Sequence, residues 1–345
     1  MGVDLGDLAV KNTISLENLS GKIVAIDAYN ILYQFLASIR QEDGTSLMDS
    51  KGRVTAHLAG LFYRNSKLLE NGIKPVYIFD GKQNKLKART QGERAQAKEK
   101  ALEKWKVAME EERVADARKY AQATTKLTKE IIEESIAFLS ALGIPSMRAP
   151  SDAEAQAAMM CQQGIVYATG SQDYDALLFG SPILVRNLSI TGRRKVPRQD
   201  KYVIVEPEQI RLQETLDSLG LTREQLIFLG MLIGTDFNEG VKGIGPKKAL
   251  KIVKEVKTLS ELVASVRESH KYEFEVEPQE VFDIFVDPAY TEPPELEWIA
   301  ADKDRIKKIL VEEHEFSEER VDRTLLQLIK ESKEKGAQKK LEQWF

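Results

Sequence analysis

One cysteine and three histidines are all the thiolate and imidazole chemistry that 345 residues contain. Cys161 alone forms no internal disulfide framework, and His57, His270 and His314 are too dispersed for zinc-ligand spacing. A bound metal must then be a hard ion held by oxygen. No apolar run approaches membrane-span length, and the start lacks a basic segment followed by an apolar core and a cleavage site. The expectation is a soluble, intracellular chain with no membrane partner. A Walker loop is missing too, because the glycine-rich stretch near residue 243 lacks Gly-Lys-Ser/Thr after four spacers. There is no large excess of one charge either: 50 Lys and Arg against 54 Asp and Glu leave a net −4, which argues weakly against nucleic acid.

That average hides blocks. Lys82 to Lys106 holds nine Lys/Arg against three Glu, Arg186 to Lys201 six against one, and Lys242 to Lys257 six against one. Tyr272 to Ala300 holds nine acids and no base. Such asymmetry can give an acidic protein a polyanion-binding face, although each block alone reads as a solvated helix face.

Lys22-Ile23-Val24-Ala25-Ile26 and Pro75-Val76-Tyr77-Ile78-Phe79 have buried-strand patterns, ending in Asp27 and Asp80. Helical spacing over Val54 to Leu69 lies between them, so strand-helix-strand and a parallel sheet follow. A helix from Ala155 stopped by Gly164, then a strand at Ile165-Val166-Tyr167-Ala168, separates Asp152/Glu154 from Asp173/Asp175. Ser151 and Glu154 also fit a capping box, which would make these acids mere helix-start residues. Three strands ending in acids weigh against that, since open α/β sheets bind ligands beyond their strands' carboxyl ends. The fold class is therefore α/β: a mostly parallel central sheet with helices on both faces.

Residues 1–332 are expected to form one domain, with a sheet-forming segment over 1–81, a charged helical insertion over 82–130, an internal segment over 131–258 and a helical segment over 259–332. A helix over Leu127 to Leu142, a return to the sheet near Ile144 to Met147, a strand at Ile183-Leu184-Val185 and a basic loop from Arg193 to Arg198 complete the middle. A helix over Leu221 to Ile233 leads to Asp236 and a glycine hairpin, Gly240 to Ala249. Its glycines let backbone amides approach a phosphate, Pro246 suits the first helical position, and Lys242, Lys247 and Lys248 stand beside them. The acidic, Pro-containing stretch Glu277 to Pro294 interrupts the later helices. Residues 333–345 read as a frayed linker and a terminal anchor.

Asp27, Asp80, Asp152, Glu154, Asp173, Asp175 and Asp236 cannot share a pocket as bare anions, because close like charges force some to protonate. Divalent cations remove that conflict. Two Mg2+ ions about 4 Å apart would clamp the attacking and leaving oxygens of a phosphodiester.

On Ile26-Asp27-Ala28, Phe79-Asp80-Gly81-Lys82, Ala149 to Ala155, Gln172 to Asp175, Gly234-Thr235-Asp236 and Gly243 to Ala249, the chain resembles the flap endonucleases over nearly its whole length. The resemblance, closest to the archaeal form, implies a structure-specific 5′ nuclease of replication and repair with 5′-3′ exonuclease side activity. It implies that Asp27, Asp80, Asp152 and Glu154 serve one Mg2+ and Asp173, Asp175 and Asp236 the other, with Mn2+ able to substitute. Asp152 stands where the family usually has Glu, one methylene longer. Tyr33 matches the aromatic that stacks on a nucleotide, Lys87 and Arg94 the cations at the scissile phosphate, and Gly2 the N-terminal residue packed near the site. The insertion would be a helical arch admitting the flap. The hairpin, with Gly243, Gly245 and its lysines, would be a helix-hairpin-helix grip on duplex phosphates. Carbonyls of Gly240, Val241 and Ile244 would bind K+. Gln338, Leu341, Trp344 and Phe345 match the box that binds the sliding clamp (PCNA), and the chain by itself would be monomeric. The competing expectations are a catalytically silent, clamp-tethered DNA-structure-binding scaffold and a phosphohydrolase of small esters.

Overall fold

The computed structural model describes residues 2–41, 45–87, 126–189, 192–195 and 202–328. Five strands run parallel within one sheet: β2 (Ile23–Asp27), β3 (Lys74–Phe79), β4 (Ser146–Arg148), β5 (Ala168–Gly170) and β6 (Ile183–Arg186). Counting β1 (Lys11–Thr13), β7 (Gly192–Lys195), β8 (Tyr202–Val205) and β9 (Glu208–Arg211), the seven-stranded order is β1-β9-β6-β5-β2-β3-β4, and β7 and β8 form a separate ribbon. β9 runs antiparallel to both β6 and β1, closing one edge. β2 is central because both its faces are covered: Val24, Ala25 and Ile26 are fully buried. A strand buried on both faces needs a continuous apolar run, and Ile-Val-Ala-Ile supplies it.

The helices that matter for the site follow the strands. α1 (Ala28–Ser38) leaves β2 directly, α2 (Ala56–Glu70) feeds β3, and α3 (Lys129–Ala141) feeds β4. α4 (Ala153–Gln162) crosses to β5, and the short α5 (Asp175–Leu178) follows it. After β9 come α6 (Leu212–Leu219), α7 (Arg223–Ile233), α8 (Pro246–Glu255), α9 (Leu259–His270), α10 (Pro278–Val286) and α11 (Lys303–Lys307). One apolar cluster packs α5, α7 and the later helices around Phe179, Phe228, Phe237 and Phe285. A second joins the sheet to α1, α2 and α3 through Phe35, Phe62, Phe79 and Phe138. Among the described residues no helix is long and apolar enough to cross a membrane.

Four expectations change. The strand placed at 165–168 begins only at Ala168. Gly164 takes φ +73°, and the amides of Ile165 and Val166 turn back to the Met160 carbonyl, so these residues close α4 before Tyr167 pairs with Ile23. The capping box does not form: α4 starts from Asp152 without a side-chain cap. Ser151 donates to Asp152 Oδ2 and Glu154 accepts from Ser171, so neither reaches the helix amides the box requires. The basic loop begins as strand, Arg193–Lys195 lying in β7 against β8. Within the acidic stretch, Pro278–Val286 is helical, with Pro278 at its first turn and Val281 and Phe285 buried.

Candidate functional site

Because β5, β2, β3 and β4 are parallel neighbours, their carboxyl ends share one edge of the sheet. Asp27 ends β2, Asp80 follows β3, Asp152 and Glu154 open the helix after β4, and Asp173 and Asp175 follow β5. Asp236 arrives from elsewhere, on the turn after α7. That turn is fixed by a buried network: Thr235 Oγ1 donates to Asn238 Oδ1 at 2.8 Å, and Asn238 Nδ2 donates to the Met231 carbonyl at 2.8 Å.

Burial and mutual repulsion set the electrostatics. Burial, then the Asp80 charge, pushes Asp27 up to about 8. Burial and Asp236 push Asp175 up to about 7. Glu154 is raised well above the ordinary range by burial and by Asp175, Asp173 and Asp27. Burial also raises Asp80, against the pull of Lys87. Among the described residues Lys87 is the cation here: its ammonium pairs with Asp152 and lies 3.9 Å from Asp236. Burial opposes the Lys87 charge, but Asp80 and Asp152 overcome it and hold the ammonium above its usual value. All seven carboxylates therefore belong to one interacting group.

Neutral donors hold the rest. Ala153 N donates to Asp80 Oδ1 at 2.8 Å, so Asp80 supplies from another strand the cap α4 lacks. Val3 N donates to Asp175 Oδ1 at 2.6 Å, and a Cβ at Gly2 would collide with the Asp175 carboxylate. Ser171 Oγ donates to Glu154 Oε1 at 2.6 Å. Asn30 Nδ2 donates to Asp173 Oδ2 at 2.8 Å, while Asn30 N donates to Asp27 Oδ1 at 3.1 Å. Asn30 and Ser171 were missed in the sequence, where the only available signal was a polar residue beside each acid.

Among the described residues no trio of His, Cys, Asp or Glu stands in preformed metal-ligand geometry. The donor set still fits a hard divalent ion. It is all oxygen, it is buried or half-buried, and its members resist ionising together, so an incoming cation replaces protons and, at Asp152 and Asp236, the Lys87 ammonium.

Tyr33 lies on α1, 37% exposed, with burial raising its phenol. In the hairpin, Gly240 leaves no room for a Cβ beside the Ile233 carbonyl, and Gly243 takes φ +84°. Gly245 precedes α8 with Pro246 in its first turn; Val241 and Ile244 are buried, and Lys242, Lys247 and Lys248 are exposed. Lys248 Nζ donates to the Gly243 carbonyl at 3.0 Å. Arg94 and the rest of the expected insertion over 88–125 lie outside the described residues, as do Gln338, Leu341, Trp344 and Phe345.

A family model for the XPG N-terminal domain matches residues 5–101, and one for the XPG I-region matches 143–236. A flap endonuclease 1 of Staphylothermus marinus is 50% identical over 100% of both chains. The chain belongs to the flap endonuclease family. A second member, from Pyrococcus abyssi, is 50% identical over 100% of this chain and 98% of its own. Among solved structures, flap endonuclease-1 from Methanococcus jannaschii is 40% identical with a TM-score of 0.75, covering 97% of this chain and all 100% of that one. The Rad2 catalytic core in complex with DNA substrate is 25% identical with a TM-score of 0.70, covering 95% of this chain and 100% of that one. The family generally depends on a divalent metal.

Proposed function

We propose that the chain hydrolyses a phosphodiester at the single-strand/duplex junction of 5′-flap DNA, in replication and repair, and trims 5′ ends as a side activity. One observation carries this: seven carboxylates from five chain segments meet at one sheet edge, four of them raised by burial and repulsion. Keeping such a group costs stability unless it is used. Asp27, Asp80, Asp152 and Glu154 would hold one Mg2+, and Asp173, Asp175 and Asp236 a second, with Mn2+ as a substitute. Bound there, the ions supply Lewis-acid stabilisation of the phosphate and a more acidic water.

The chain's own residues do the rest. Lys87, now on Asp152, would turn to the phosphate as substrate enters and stabilise the charge of the transition state, together with Arg94. Tyr33 offers an exposed ring for the adjoining base. Asp80 stays aligned through Ala153 N, and Asp175 through Val3 N. The exposed hairpin lysines and amides would grip phosphates without reading bases, and the carbonyls of Gly240, Val241 and Ile244 would take K+. Residues 82–130 would form the arch that admits single strand. Gln338, Leu341, Trp344 and Phe345 would dock on the sliding clamp.

The deciding experiment maps the incision on an end-labelled double-flap DNA. A single cut at the junction in Mg2+ and none in EDTA is expected. Tight binding with no cut in Mg2+ or Mn2+ would make the chain a silent scaffold instead.

A further inference from the structure

The carboxylates are held in two different ways, and one of them points to a residue with no assigned role. On one side Asp152 and Asp236 lean on the ammonium of Lys87. On the other side, around Asp27, Asp173 and Glu154, the hydrogen bonds come from neutral groups: the backbone and side-chain amides of Asn30 and the Ser171 hydroxyl. A neutral donor orients a carboxylate while leaving its negative charge for an incoming cation. An ammonium does the reverse.

Asn30 stands out because it spans two strand ends. Its backbone amide, in the first turn of α1, binds Asp27 Oδ1 at 3.1 Å. Its side-chain amide donates to Asp173 Oδ2 at 2.8 Å and accepts from Gln172 N at 3.3 Å. One residue therefore ties the end of β2 to the loop after β5, and so ties together an acid assigned to each ion. We infer that Asn30 is a positioning residue that sets the Asp27–Asp173 separation, holding the two halves of the carboxylate set in register for divalent cations. This rests on the assignment of Asp27 and Asp173 as metal-holding acids.

Asn30 is half-buried, and its contact with Asp27 uses the backbone. Asn30→Ala therefore keeps the helix cap and the fold, and removes only the tie to Asp173 and Gln172. Asn30→Asp keeps the shape but replaces the donor with a fifth carboxylate near Asp27, Asp173, Asp175 and Glu154.

The test measures Ca2+ and Mg2+ binding to the DNA-free protein by calorimetry, alongside cleavage over a Mg2+ series. Partners that orient metal ligands typically contribute 10- to 100-fold in affinity or activity. Asn30→Ala is expected to weaken cation binding about tenfold and to raise the half-activating Mg2+ concentration equally. Its rate should largely recover at high Mg2+, with flap affinity in EDTA unchanged. Unaltered cation affinity in Asn30→Ala, with Asp173→Asn clearly weakened, would overturn the inference for Asn30 alone. Unaltered affinity in Asp173→Asn as well would overturn the metal assignment beneath it. Equal loss in Asn30→Ala at every Mg2+ concentration, with a lowered melting temperature, would make Asn30 structural and also end the proposal.

Discussion

Two polar clusters treat charge in opposite ways. At the strand ends, carboxylates face carboxylates and are driven toward their neutral forms. In the second cluster, His57 Nε2 lies 3.0 Å from Glu134 Oε2, His314 Nε2 lies 3.6 Å from Glu134 Oε1, and His314 Nδ1 lies 3.4 Å from Asp49 Oδ2. There the hydrogen bond from His57 holds Glu134 below its usual range. The first cluster is frustrated until something binds; in the second, the Glu134 charge is met by His57, although Nδ1 of His57 and of His314 is buried without a hydrogen-bond partner among the described residues. Perturbed groups that face like charges mark function, whereas those that find an opposite charge join distant segments. His57 on α2, Glu134 on α3, Asp49 in the loop after α1 and His314 near the C-terminal end are four such segments.

The largest effect that tests this contrast is catalytic. Asp173→Asn should lower flap cleavage by about a thousandfold or more, since a ligand carboxylate cannot be replaced by an amide without losing charge. Flap binding in EDTA should persist, and the metal-free melting temperature should not fall. Wild-type cleavage rates in this variant would break the reading of the first cluster. Next in size is His57→Ala. His57 is fully buried, so its loss leaves a hole and removes the hydrogen bond to Glu134, costing about 2–3 kcal/mol in thermal or denaturant unfolding. Cleavage per folded molecule should be unchanged. A variant that kept its stability but lost its rate would erase the distinction between the clusters.

The same contrast separates what the sequence made legible from what it did not. Asp27 and Asp80 could be read because each ends a continuous apolar run, and a parallel sheet puts strand ends together whatever their distance along the chain. The acids after β4 and β5 followed by the same rule. The tie made by Asn30 was illegible: a polar residue in the first turn of a helix is ordinary, and only the register of β2 against β5 brings it to Asp173. The second cluster was invisible because His57 and His314 lie 257 positions apart and no local pattern couples them. The capping box at Ser151 failed for a related reason. A better partner for the α4 amide came from another strand, Asp80, and local spacing cannot register such competition.

A smaller effect concerns pH. Asp27 and Asp175 have folded-state values of about 8 and about 7, above their ordinary 3.8. A raised acid contributes stability that is fully present below the unfolded value and lost as pH rises through the folded one. The metal-free protein should therefore lose this contribution between pH 4 and 8, read as a melting temperature that falls over that range. Asp27→Asn should gain on the wild type steadily over that range, and saturating Mg2+ should shrink the gap. A constant difference from pH 4 to 8 would show that the carboxylates are not frustrated.

The smallest effect lies in the second cluster and has the opposite slope. Glu134 is lowered, so its contribution is present above about 4.5 and is lost as pH falls through its folded value. Its carboxylate is 40% exposed, which screens the interaction, so Glu134→Gln should cost less than about 1 kcal/mol at pH 7. The amide oxygen can still accept from His57, so the packing should survive while the charge does not. Once pH falls below the folded value of Glu134 the variant and the wild type should converge, because the wild-type carboxyl is then neutral as well. If Asp27→Asn and Glu134→Gln instead gave parallel pH profiles, both clusters would be responding to net charge alone, and burial with specific partners would not be what sets them apart.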